Sequence, residues 1–203
     1  IVEAVEKRTM PLEIALLPML ESSMNPFASS PSGAAGLWQI MPETGIRLGL
    51  EQDSRYDGRH AVHESTIVAL DYLESLYRKF DEDWFLALAA YNSGAGTVER
   101  AREANAKKGL GTDYWSLNLS RHTTSYVPKL IALAQIVAEP ERYDVYIPAV
   151  DNAPSFEIVD TGGLIQMSKA AELAGVDIDT LRALNPGQLR GSLSPGRSTE
   201  ILV

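Results

Sequence analysis

Leu17-Pro18-Met19-Leu20-Glu21-Ser22-Ser23-Met24-Asn25-Pro26-Phe27, then Ala28-Ser29-Ser30-Pro31-Ser32-Gly33-Ala34-Ala35 and Gly36-Leu37-Trp38-Gln39-Ile40-Met41, is the stretch on which the reading turns. An apolar helical run delivers one carboxylate, Glu21, and stops almost at once at Asn25-Pro26. A glutamate at the end of an apolar helix is easily desolvated, and desolvation raises a carboxyl pKa toward the range of a general acid. The small-residue loop after it lets a polymer backbone approach closely. A lone glutamate near a helix end is ordinarily a solvated surface residue, so the rest of the chain decides.

Upstream, residues 2–20 read as a helix restarted by Pro11, with Leu12, Ala15, Leu16, Met19 and Leu20 at helical spacing. Pro18 lacks the N–H that would bond back to Ile14, which predicts a bend just before Glu21. Downstream, Pro42-Glu43-Thr44 opens a short helix that Gly49 can end. Residues 51–63 are polar and irregular. Asp53, Asp57, Gly58 and Glu64 fall at calcium-loop positions, but Arg55 stands where an oxygen ligand is required, so a helix-entry loop is the reading. His60 and His63 have no further His or Cys to complete a zinc set and read as surface histidines.

Residues 65–80 form an amphipathic pattern with Ile67, Leu70, Leu73, Leu76 and Phe80 on one face. Asp83 can cap the next helix, 84–91, whose Ala87, Ala89 and Ala90 permit close packing. Asn92-Ser93-Gly94 breaks it, placing Tyr91 and Asn92 at a helix end. Residues 98–108 read as a charged helix with a solvated face. Tyr114 and Trp115, in a polar connection, suit either stacking on sugar rings or a hydrophobic staple. The helix of residues 125–139 is ended by Pro140.

The helical period disappears over residues 143–154, where Pro148, Asp151, Asn152 and Pro154 suggest a linker or crossing segment. Phe156-Glu157-Ile158-Val159 then alternates like a strand, 167–174 and 178–184 are helical, Asn185-Pro186-Gly187 is a break, and 199–203 closes as a strand.

At 203 residues the chain is long enough for one well-buried core plus a small second unit. Its net charge of −9 argues against nucleic-acid or anionic-membrane partners, which need clustered Lys and Arg. With no cysteine there is no disulfide framework or thiolate metal site. No run reaches bilayer-spanning length. The chain opens on Ile1 without a charged and then apolar leader, so the expectation is a mature or trimmed fragment, any signal peptide or lipid anchor lying outside it.

Glu21-Ser22, Gly36-Leu37-Trp38-Gln39-x-Met41-Pro42, Ala90-Tyr91-Asn92-x-Gly94 and Tyr126-Val127-Pro128 occur in that order. The ordered set resembles the lysozyme-like lytic transglycosylases that cleave bacterial peptidoglycan, most of all the membrane-bound lytic transglycosylase D group. The resemblance runs over roughly residues 10–140, and four ordered motifs are far more specific than one. The C-terminal strand–helix–helix–strand order resembles a LysM module, in Ala174-Gly175-Val176, Leu184-Asn185 and Leu193-Ser194-Pro195-Gly196. It departs at Thr161-Gly162-Gly163-Leu164-Ile165, where the module usually carries Gly-Asp-Thr-Leu. Two readings stay open there: a glycan binder, and a degenerate unit docked on the catalytic domain.

The expected fold is mainly α: a lysozyme-like catalytic domain over residues 1–142, a linker over 143–154, and a small βααβ LysM-like unit over 155–203. The resemblance implies that Glu21 acts first as acid and then as base, the C6 hydroxyl of N-acetylmuramic acid closing on its own anomeric carbon. It also implies that Ser30 and Gln39 bond the sugar, that Met41 and Tyr91 wall its subsites, and that Asn92 fixes the loop around Tyr91 at the substrate. Tyr126 would set the orientation and pKa of Glu21. Ser22 reads equally as a hydroxyl bonding backbone. No acid lies between Glu21 and Glu43, so the loop lacks a partner carboxylate. No cofactor or metal is expected. The expected partner is the peptidoglycan glycan strand, in the periplasm, with outer-membrane attachment through an anchor outside this chain. A muramidase hydrolase on the same scaffold and a non-catalytic wall-binding protein remain the alternatives.

Overall fold

A computed structural model describes residues 1–149, 153, 156–163, 165–191 and 200–203. Asp151, Asn152, Pro154, Leu164, the Leu193–Gly196 segment of the LysM pattern and Thr199 lie outside the described residues. The architecture is mainly α. Contacts divide the chain into two compact units, residues 1–20 with 69–147, and residues 21–68 with 148–203.

The N-terminal run is not one helix but three pieces: α1 (Val2–Glu6), a 3-10 turn (Leu12–Leu16) and α2 (Leu17–Ser22). Thr9 at φ 55° and Pro11 at φ −53°, ψ 133° interrupt the first helical path. The change from 3-10 to α geometry falls between Leu16 and Leu17. Pro18 therefore occupies the first turn of α2, where a missing N–H costs nothing.

In the first unit, α4 (Val62–Lys79, whose later residues belong here) buries Leu70, Leu73 and Leu76, with Phe80 just beyond its end. Ile67 does not join them and is 37% exposed. At about 3.6 residues per turn the inward face passes through Thr66 and Ala69, and Ile67 falls on the far side. Helix α5 (Trp84–Ser93) starts as read: the Asp83 carboxylate accepts from the N–H groups of Phe85 and Leu86. Ala87, Ala89 and Ala90 are fully buried where α5 packs on α6 (Ala95–Ala106) and α8 (Tyr126–Ala138). Gly94, at φ 85°, both ends α5 and opens α6. Helix α6 is largely solvated, but Val98 and Asn105 turn inward, and Asn105 Nδ2 donates to the carbonyls of Gly111 and Ser116 at 2.8 Å each. Tyr114 is the staple of its loop, buried and donating to the Thr123 carbonyl at 2.9 Å, while Trp115 stays 61% exposed. The short α7 (Arg121–Thr124) leads into α8, ended at Pro140 by a 3-10 turn.

The second unit holds α3 (Pro42–Arg47), with Gly49 following at φ 92°, and the C-terminal βααβ element. Strand β1 (Ile158–Asp160) pairs antiparallel with β2 (Glu200–Leu202), enclosing α9 (Met167–Ala174) and α10 (Ile178–Leu184) in sequence. Met167, Ala170, Ala171, Leu181 and Ile201 form its small core. The alternation that predicted β1 does not bury it: Ile158 and Val159 are both exposed. Residues 51–63 are less open than their polarity suggests, since Tyr56 and Asp57 are buried and Tyr56 bridges to Gln188.

Candidate active site

Glu21 stands in the last turn of α2, partly buried. The helix ends because Ser23 and Met24 take positive φ, 53° and 62°, which no helix interior tolerates. The Asn25 side chain then accepts from the Phe27 N–H at 2.9 Å and sets the turn. Ser22 has the bland role: its hydroxyl donates to the Leu37 carbonyl at 2.9 Å, tying the end of α2 to the far side of the loop.

The loop itself is a folded object. Ser29 bridges to Ala35 and Ala35 to Ile40, with Ala35 and Ile40 exchanging N–H···O bonds at 3.1 Å each way. Ser30 closes its own turn, its hydroxyl accepting from the Ala34 N–H at 3.0 Å and sharing a hydrogen bond with Ser32. Gln39 sits at φ 49° with Nε2 donating to the carbonyls of Gly36 and, more weakly, Ala28. Met41 is exposed, just ahead of α3. Trp38, in the middle of the Gly36–Pro42 motif, is completely buried, its Nε1 donating to the Thr66 hydroxyl at 2.9 Å. Burial of a large indole whose N–H has a partner makes it an anchor of the loop.

His60 is likewise no surface histidine. Its Nδ1 meets the Pro26 carbonyl at 2.7 Å, and since a carbonyl only accepts, Nδ1 carries the proton. The oxygens of the calcium-like pattern are used otherwise: Asp53 accepts from the N–H groups of Arg55 and Tyr56, which hold its carboxyl below the usual range. Asp57 forms a two-point ion pair with Arg59.

Glu21, Ser30, Gln39 and Met41 belong to the second compact unit; Tyr91, Asn92 and Tyr126 belong to the first. Tyr91 and Asn92 lie in the last turn of α5, Tyr91 half-buried with its ring 5.9 Å from that of Tyr72. Tyr126 is the first residue of α8 and only 4% exposed. Asn92 Nδ2 lies 3.1 Å from His122 Nε2, and its Oδ1 is buried without a hydrogen-bond partner among the described residues. Sequence reasoning missed His122, Thr66 and Arg59. Nothing in their spacing marks them, because each acts across a turn or from a distant helix. No described group of His, Asp and Glu could hold a metal ion, and no described helix is long and apolar enough to cross a membrane.

The comparisons with known proteins bear on this geometry. The model of the transglycosylase SLT domain matches residues 1–112, and that of the LysM-like domain of the lytic transglycosylase MltD matches residues 155–203. The chain is 43% identical over 188 residues to the membrane-bound lytic murein transglycosylase D of Escherichia coli K12, covering 93% of this chain but 41% of that protein. It is 36% identical over 159 residues to a putative tributyltin chloride resistance protein of Alteromonas sp. M-1, covering 78% of this chain and 75% of the other. The crystal structure of the 70 kDa soluble lytic transglycosylase of Escherichia coli superposes with a TM-score of 0.51 at 26% identity, over 64% of this chain and 22% of that one. The fold is thus a lysozyme-like helical domain followed by a LysM-like unit. The chain belongs to the SLT-domain lytic transglycosylase family. Glu21, Ser30, Gln39, Met41, Tyr91 and Asn92 all lie inside the SLT match; Tyr126 lies beyond it.

Proposed function

We propose that this chain is a peptidoglycan lytic transglycosylase that cleaves the β-1,4 bond between N-acetylmuramic acid and N-acetylglucosamine, with Glu21 as its single catalytic carboxyl group. The observation that carries the reading is a helix-end glutamate, inside the SLT match, followed by a pinned loop that holds no other acid. Protonated Glu21 gives its proton to the leaving glycosidic oxygen as the C1–O bond breaks and positive charge develops at the muramic C1. The substrate's acetamido group stabilises that charge. The carboxylate then removes the C6 hydroxyl proton as O6 bonds to C1, which regenerates the acid and leaves a 1,6-anhydro ring. No water is consumed.

Ser30 and Gln39 are proposed to hydrogen-bond the sugar, Met41 and Tyr91 to wall its subsites, and Asn92 to hold Tyr91. Tyr126 is assigned the orientation and proton affinity of the Glu21 carboxylate. The proposed setting is the periplasm, with outer-membrane attachment supplied from outside this chain. Digestion of purified peptidoglycan with mass analysis of the muropeptides tests the reading. Anhydro products, lighter by one water and lacking a reducing end, support it. Reducing ends that carry oxygen from labelled water would make the enzyme a muramidase instead.

A further inference from the structure

The C-terminal LysM-like unit does not hang free of the loop that follows Glu21. Both lie in the same compact unit of the chain, and a continuous series of hydrogen bonds joins them. Asp57 N–H donates to the Gly187 carbonyl at 2.9 Å, Leu189 N–H to the Arg55 carbonyl at 2.8 Å, and Arg190 Nε to the Ser54 carbonyl at 3.0 Å. This is a short antiparallel seam, made largely by main chain. It leaves Tyr56 and Asp57 buried. Burial, with the Glu64 carboxylate beside it, pushes the Tyr56 phenol well above its ordinary pKa, so the ring sits in the seam as a neutral side chain.

From the seam the series continues inward. Asp57 Oδ1 accepts from the backbone N–H and Nε of Arg59 at 3.0 Å each, and Oδ2 accepts from Nη2 at 2.7 Å. Both side chains of this pair are only 12% exposed. The remaining arm of the guanidinium, Nη1, donates to the Gly33 carbonyl at 2.7 Å and the Ile40 carbonyl at 3.2 Å. Those carbonyls belong to the loop of Ser30 and Gln39. The planar five-donor fork of arginine suits it to join a carboxylate on one side and two carbonyls on the other. The next residue, His60, holds Pro26 on the near side of the same loop.

We propose that the LysM-like unit is a brace for the active-site loop, acting through Asp57 and Arg59, which are positioning residues. The unit shapes the catalytic segment whether or not it binds glycan. The linkage stands on its own; its catalytic consequence rests on the function proposed above for the loop.

The test uses the whole chain. Gly187→Val places bulk where a Cβ already meets the Tyr56 ring at 3.0 Å and Ala61 and the Asp57 carbonyl at 3.2 Å, so it parts the seam. Asp57→Asn keeps the seam and the side-chain size but removes the charge that holds Arg59. Hydrogen exchange is followed at the Ala35 and Ile40 amides, which are remote from both substitutions in sequence. Each variant is expected to raise exchange there about tenfold or more, and the double variant to do little more than the larger single one. In the digest, kcat is expected to fall about 10- to 100-fold with KM nearly unchanged. Should Gly187→Val not fold, Asp57→Asn decides alone. The brace is refuted if exchange at Ala35 and Ile40 stays at the wild-type rate in the folded variants, or if the two effects simply add. A wild-type enzyme that releases no anhydro product would overturn the functional reading and leave the exchange result standing.

Discussion

The carbonyl oxygen of Arg59 lies 1.8 Å from where a Cβ on Gly36 would stand. Gly36 also has φ 77°, so two independent constraints exclude a side chain there. Gly36→Ala is expected to lower stability by on the order of 3 kcal/mol or more, because backbone, not a flexible side chain, must move. Chemical denaturation with unchanged slope checks this. A variant within about 0.5 kcal/mol of wild type would show that the loop yields more easily than its contacts imply.

Glu21→Gln is expected to abolish turnover while leaving the far-UV spectrum and melting temperature near wild type. The amide is nearly isosteric but cannot donate the proton, and general acid–base catalysis of this kind contributes about 100- to 10,000-fold. Peptidoglycan sacculi are the substrate to use. Wild-type rates from the folded variant would remove Glu21 from the mechanism.

Tyr126→Phe deletes one hydroxyl from a buried position at the start of α8. If that hydroxyl bonds a carboxylate, its loss costs roughly 1.5–3 kcal/mol of transition-state stabilisation, or about 10- to 150-fold in kcat. Steady-state kinetics with the folded variant measures it. A rate within twofold of wild type would make Tyr126 a packing residue only.

Three aspartates, Asp53, Asp113 and Asp177, accept backbone N–H groups at turns and helix starts, Asp113 and Asp177 also taking a side-chain hydroxyl. These bonds lower all three carboxyl pKa values below their ordinary 3.8. A group whose pKa is depressed by folding stabilises the native state above its unfolded pKa and loses that contribution as pH falls through the folded value. Stability should therefore hold down to about pH 4 and decline below it. Urea denaturation at stepped pH checks the sign, and replacing all three with asparagine should flatten the acid limb.

Much of this architecture was legible because it rests on local rules. The cap at Asp83, the break at Gly94, the helix opened by Pro42 and the βααβ order all depend on residues within a few positions of one another. Ile67 was misplaced because a run of apolar residues does not by itself fix which arc of a helix turns inward, and Thr66 and Ala69 take its place. The restart at Pro11 was legible over residues 2–20, but the early end of α1 was not, because Thr9 adopts a positive φ that its residue type does not advertise. At the candidate site the motif residues were visible, but their supports were not. Thr66 reaches Trp38 across 28 positions, His60 reaches Pro26 across 34, and His122 reaches Asn92 across 30. Polar pairings at such separations leave no period to read. The calcium-like pattern, set aside on Arg55 alone, has its oxygens committed elsewhere, those of Asp53 to backbone and those of Asp57 to Arg59.

The seam between residues 55–57 and 187–189 has a consequence for engineering. Its two central bonds join peptide groups, and peptide groups are the same whichever side chains accompany them. Gly187 is restricted in size by the Tyr56 ring and Ala61, and Tyr56 and Asp57 opposite it are buried. The joint therefore works as a standard coupling. A different small module could be grafted there, provided it offers one extended segment with a glycine opposite Asp57, and the outward residues of the native module can be rewritten without disturbing the fastening.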